Sequence, residues 1–116
     1  MGKFAIHADA REDGVILKLV GELTVHDSEP LKQQLFAALE HRPKRVVIDA
    51  SALTFISSLG LGSLVEVRRA LEADSVTLRL AGASDFVAEI FRKTRLAEIF
   101  PMYSDPEQAL TEASGA

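Results

Sequence analysis

The run Arg45-Val46-Val47-Ile48-Asp49-Ala50 constrains the fold more than any other segment of the chain. Its apolar residues follow one another without the polar alternation of a strand that has one wet face. Such a run predicts a strand covered on both faces, as strands in parallel sheets are. The flanking sequence carries the helices this requires. Leu31, Leu35, Phe36 and Leu39 recur at helical spacing before the strand, ending near His41-Arg42-Pro43. Gly60, Leu64, Val67 and Leu71 form a helical stripe after it, with Leu61 alongside.

The remaining elements follow from shorter signals. Phe4-Ala5-Ile6-His7 reads as a strand, Arg11-Glu12-Asp13-Gly14 as a turn, and Val15 to Val20 as a second strand running into Gly21-Glu22-Leu23. Asp27-Ser28-Glu29-Pro30 starts the first helix, with Pro30 acceptable in a first turn. Val76 to Ala81 is a further strand, and Ser84-Asp85 opens a helix carrying Phe86, Ile90 and Phe91. Ile99-Phe100-Pro101-Met102 reads as a short strand that its proline limits to an edge or an end. Asp105-Pro106-Glu107-Gln108 combines an N-cap, a first-turn proline and Gln108 at the capping-box position. The expected fold is α/β, in the order β-β-α-β-α-β-α-β-α. It has a mainly parallel sheet of four to five strands and about four helices joined by right-handed crossovers. The 116 residues suit a single domain spanning 1–116, with Glu112 to Ala116 expected as a frayed tail.

Composition narrows the function. Without cysteine there is no disulfide, no thiolate metal site and no cysteine nucleophile. Thirteen Lys and Arg against seventeen Asp and Glu give a net charge of −4, which disfavours direct binding of nucleic acid. No apolar run approaches the ~18 residues of a membrane span, and Met1 to Ile6 is too short for a signal peptide. A cytoplasmic location is expected. His7, His26 and His41 show no metal-binding pair at helical spacing, and no metal or cofactor is expected. Gly60-Leu61-Gly62-Ser63 fails the spacing of a nucleophile elbow, and Val65 stands where a dinucleotide loop needs its third glycine. Nothing fixes Asp27 near Asp49 as a carboxylate pair. An enzyme using Ser58 or Ser63 with a histidine is the weakest of the functional readings.

The informative segment is Phe55-Ile56-Ser57-Ser58-Leu59-Gly60-Leu61-Gly62-Ser63-Leu64. A buried strand ends, and a serine pair sits where the next helix starts. In a parallel sheet this junction lies at the carboxyl end of a strand, where α/β folds place functional groups. One reading makes Ser57 or Ser58 a helix cap. The other makes it a phosphoacceptor, since the first amides of a helix favour negative charge. With the core stripe set on Leu64, Leu59 falls on the solvent side.

Gly21-Glu22-Leu23, the strand ending at Asp49, and Phe55 to Gly62 together resemble the STAS domain family, and within it the bacterial anti-sigma factor antagonists, or anti-anti-sigma factors. Length and element order agree over nearly the whole chain. The resemblance implies a switch and not a catalyst, with Ser58 as the phosphoacceptor and Ser57 as the fallback. It implies that the unphosphorylated form binds an anti-sigma factor that is a GHKL-type serine kinase, and so releases a sigma factor for transcription. A PP2C-like phosphatase would reverse the modification. Partner contacts are expected from Thr24, His26, Ser57, Ser58, Leu59, Leu61, Gly62 and Ser63. The chain departs from the family at two positions, with Ser57 where Asp usually precedes the acceptor and Thr24 where Asp commonly follows Gly-Glu-Leu. The alternative is a STAS interaction subunit of another assembly, such as a lipid-transport ATPase or a signalling scaffold, without a phosphoswitch.

Overall fold

A computed structural model describes residues 4–12, 14–38, 40 and 42–112. Five strands form one sheet in the order β1-β2-β3-β4-β5. β1 (Phe4–Arg11) and β2 (Gly14–Leu23) make an antiparallel hairpin, and β3 (Arg45–Ile56), β4 (Thr77–Ala81) and β5 (Met102–Tyr103) continue in parallel. The connections carry α1 (Ser28–Ala38), α2 (Ser58–Ala73) and α3 (Asp85–Lys93), and α4 (Pro106–Thr111) follows β5. The expected α/β order and mainly parallel sheet are therefore observed. Leu39, His41 and most of the expected tail lie outside the described residues. No helix among the described residues is long and apolar enough to cross a membrane.

Alternation sorts the strands onto two faces. Val15, Leu17 and Leu19 of β2, Val46 and Ile48 of β3, and Leu78 and Leu80 of β4 are buried against Leu31, Leu35, Leu64, Val67, Leu71 and Phe91. This is the main core, and Phe91 meets Phe100 edge-on with ring centroids 5.6 Å apart. The residues between them, Ile16, Val47 and Ala81, face the other way, under Ala109 and Leu110 of α4. Both faces of β3 are thus covered, as its unbroken apolar run requires.

Three local differences from the sequence reading have physical causes. β3 extends to Ile56 rather than ending at Ala50, and its pairing with β2 slips between Lys18 and Val20 and again between Gly21 and Glu22. The slips let Leu53 and Ile56, three residues apart, both reach the core, which strict alternation forbids. Gly21 holds φ +98° at the second slip, where a Cβ would be strained. Residues expected to begin a strand at Ile99 instead follow a 3-10 turn over Leu96–Glu98, so only Met102 and Tyr103 pair as β5. Phe100 is buried in the core and Pro101 offers only its carbonyl, which accepts from the Leu80 amide at 3.0 Å. Asp105 caps α4 as expected, through the Glu107 amide, but Gln108 closes no capping box: its amide donates forward to Glu112.

Candidate functional site at the carboxyl end of the sheet

Because β2, β3 and β4 run parallel, the helices that follow them, α1, α2 and α3, all begin at one end of the sheet. The serine junction lies at this end. The Ser57 amide donates to the Leu23 carbonyl at 2.9 Å, tying the start of α2 to the end of β2. The Ser57 Oγ accepts from the Gly60 amide at 3.0 Å with Ser57 extended (φ −83°, ψ 166°), so Ser57 is the N-cap. Ser58 is the first residue of the helix and is exposed. The two adjacent serines therefore have separate positions, one half-buried in the cap and the other facing solvent.

The turn between β2 and α1 packs against the start of α2. Asp27 Oδ2 accepts from the Thr24 amide at 2.9 Å and from Thr24 Oγ1 at 2.7 Å, closing the turn. Thr24 thus uses its hydroxyl to hold a carboxylate at this end. His26, between them, is exposed. Leu59 is 58% exposed, and Gly62, one turn further along α2, has nothing within 4 Å of where a Cβ would stand.

Not every expected contact residue reaches the surface. Leu61 is buried in the main core, and Ser63 is buried with its hydroxyl donating to the Leu59 carbonyl at 3.0 Å. Both support the α2 surface from behind. Thr24, His26, Ser57, Ser58, Leu59 and Gly62 are brought together at the sheet end. Asp27 and Asp49 do not form a pair: Asp27 closes the turn before α1, while Asp49 lies mid-strand, accepting from the Ser51 amide at 3.0 Å.

Sequence reading missed two apolar groups here. Phe86, the second residue of α3, is 55% exposed, although it looked like part of that helix's apolar set. The buried stripe of α3 is Val87, Ala88 and Phe91, and phasing the helix on Val87 and Phe91 would have turned Phe86 outward. Phe55, near the end of β3, is also partly exposed because the second register slip separates it from the core face. Glu22 and Asp85 add exposed carboxylates at the same end. Ser58 is exposed, its hydroxyl makes no side-chain hydrogen bond to a base among the described residues, and the arrangement is a partly apolar surface with a hydroxyl at a helix start.

With this geometry in place, comparison with known proteins identifies the family. The STAS domain description matches residues 5–109. The chain belongs to the STAS domain family. BtrV of Bordetella bronchiseptica, a protein assigned by name to the anti-sigma factor antagonists, is 31% identical over 98 residues, covering 84% of each chain. The unphosphorylated form of the anti-sigma factor antagonist SpoIIAA superposes with a TM-score of 0.81 at 24% identity, over 97% of this chain and 98% of that one. The phosphorylated form of SpoIIAA, described as a Bacillus cell fate determinant, gives 0.69 at 23% identity, over 92% and 96% of the two chains. The STAS fold is thus shared across nearly the full length of both SpoIIAA forms.

Proposed function

We propose that the protein is an anti-sigma factor antagonist switched by phosphorylation of Ser58. The observation that carries this reading is the division of labour between the serines. Ser57 is occupied in the helix cap, and Ser58 stands exposed at the first position of α2, next to an exposed leucine. The unphosphorylated protein binds an anti-sigma factor with GHKL-type serine kinase activity through Ser58, Leu59, Gly62 and the Thr24–His26 turn. Sigma factor is freed as a result. Phosphate adds roughly −1.5 to −2 charges to this surface, at the start of a helix that tolerates them. The domain itself stays folded, while an apolar contact built around Leu59 must desolvate a dianion. Glu22, Asp27 and Asp85 already place carboxylates at this end, so the added charge also raises local repulsion. A PP2C-like phosphatase restores the binding form. The protein acts by occupancy in the cytoplasm and catalyses nothing itself.

The test is incubation with the cognate anti-sigma kinase and ATP, followed by mapping of the product by mass spectrometry. One phosphate is expected, on Ser58, and none in Ser58→Ala. Phosphate on Ser57 would move the switch to the capping residue. A protein that binds its partner and gains no phosphate would instead be an interaction subunit without a phosphoswitch.

A further inference from the structure

The two edges of the sheet are unlike. β5 is two residues long and follows a proline, so it offers little to a further strand. β1 is eight residues long, pairs with β2 residue for residue without a bulge, and contains no proline. Among the described residues nothing pairs with its outer edge. Charged side chains are its main protection, and their order makes the strand complementary to itself.

We propose that this edge is a homodimer interface, in which β1 pairs antiparallel with β1 of a second copy across a twofold axis at Ala8. Residues opposite each other in an antiparallel pair share a face, so this register sets Ala8 against Ala8, Ile6 against Ala10, and His7 against Asp9. On the face shared with Lys18 and Ile16, the His7 ring N–H of each copy meets an Asp9 carboxylate of the other. That carboxylate is fixed in place by its own Arg11, whose Nε and Nη2 donate to Oδ2 at 2.9 and 2.7 Å. Shifting the register by two residues in one direction sets His7 against His7, and in the other Asp9 against Asp9; both lose the complementary pairs. On the helix-facing side, Ala8, Ala10, Ala37 and Ala38 form the apolar part of a groove of about 430 Å³ that Glu12 and Lys44 also line. Ile6 of the second copy, partly buried against its own core, stands opposite Ala10 at the edge of this groove. Small side chains on one strand position and a branched one on its symmetry partner give the fit.

Pairing would build a ten-stranded sheet from two of these five-stranded ones. Its twofold axis reverses strand direction, so the two Ser58 sites lie at opposite ends, both open to a partner. The interface does not depend on whether Ser58 is modified.

The chain has no cysteine, so single cysteines report the register directly. Opposed Ala8 positions stand about 5 Å apart between Cα atoms, within disulfide reach. Two Ala10 positions, offset by four residues, stand roughly 14 Å apart at ~3.4 Å rise per residue. Sedimentation of the full chain over a concentration series should show a monomer–dimer equilibrium. Under mild oxidation Ala8→Cys should crosslink at least about tenfold faster than Ala10→Cys, because only the former meets the distance requirement. His7→Asp should weaken the dimer, and the exchange His7→Asp with Asp9→His should recover part of the loss, with circular dichroism confirming the fold of each variant. A monomer at millimolar concentration overturns the proposal. So does a dimer indifferent to these substitutions, or one that crosslinks faster through Ala10→Cys.

Discussion

Gly60 rests directly on Leu23: a Cβ built on the glycine would lie 2.8 Å from Leu23 Cγ and 3.2 Å from Ile56 Cγ1. This contact lets the first turn of α2 sit close to the end of β2. Gly62, two residues on, faces open space. The same substitution should therefore act oppositely at the two sites. Gly60→Ala forces a buried methyl into a filled space and should cost about 1–3 kcal/mol. Gly62→Ala relieves a helix-interior glycine and should stabilise by up to ~1 kcal/mol. Urea unfolding of both variants checks the pair, and equal effects would mean that Gly60 does not make the contact described.

Ser57 and Ser58 should separate stability from modification. Ser57→Ala removes the acceptor for the Gly60 amide and should cost roughly 0.5–2 kcal/mol. Ser58→Ala should leave stability within about ±0.5 kcal/mol, as exposed substitutions usually do. It should nonetheless abolish phosphate incorporation, and Ser58→Asp should weaken partner binding. Thermal unfolding together with mass spectrometry of kinase-treated protein measures both effects.

These serines also show how far the sequence could be read. Local patterns located the junction, because Val46 to Ala50 demanded a doubly covered strand and the Leu64–Val67–Leu71 stripe phased the following helix. Which serine capped the helix was not legible, because either one fits the cap chemistry and the choice depends on a hydrogen bond to Leu23 from a distant strand. Leu61 and Ser63 were misplaced for a related reason. Their burial comes from neighbouring elements that close over the flank of α2, which a single helical stripe does not encode. β3 beyond Ala50 was missed because two register slips break its alternation.

The second face of the sheet depends on a buried arginine. Arg79 is 1% exposed, and its Nη1 donates to the Ala109 and Glu112 carbonyls at 2.7 and 2.6 Å. Its guanidinium also lies 5.2 Å from the Tyr103 ring centroid. The cation thus satisfies carbonyls at the end of α4 that have no partner inside the helix. Arg79→Met keeps much of the volume and removes those donors. Hydrogen exchange should then accelerate in α4 well beyond any change in α2. Uniform acceleration would show that Arg79 serves the whole fold rather than the docking of α4.

Acid should weaken the contact between Asp9 and Arg11 within β1. Hydrogen bonding from Arg11 holds the Asp9 carboxyl below its ordinary value of 3.8, and the same Arg11 reaches Glu107 of α4 at 2.7 Å. A depressed folded-state pKa contributes stability at pH values above 3.8 that is lost as pH falls through the folded value. The pair is exposed, so the contribution is modest and salt-sensitive. Carboxyl chemical shifts followed by NMR should show Asp9 titrating below an ordinary aspartate, and Arg11→Gln should move it back up. An unchanged Asp9 titration in Arg11→Gln would remove the guanidinium as the cause.

Leu59 and Leu64 lie on one helix and should affect opposite properties. Leu64 is 1% exposed within the main core, and Leu59 is 58% exposed beside Ser58. Leu64→Ala should leave a cavity and cost ~2–5 kcal/mol, a large share of the ~5–15 kcal/mol that holds a domain together. Leu59→Ala should change stability by no more than about 0.5 kcal/mol. Binding to the anti-sigma partner should show the reverse order once each titration is corrected for the folded fraction. Gly62→Glu should behave like Leu59→Ala, with unfolding almost unchanged and affinity sharply reduced, because it sets a carboxylate on the same exposed side of α2. Denaturant unfolding and calorimetric titration measure the two quantities independently. If Leu59→Ala and Gly62→Glu both bind as tightly as wild type, the partner does not use this face of α2, and a phosphate on Ser58 has no interface there to disrupt.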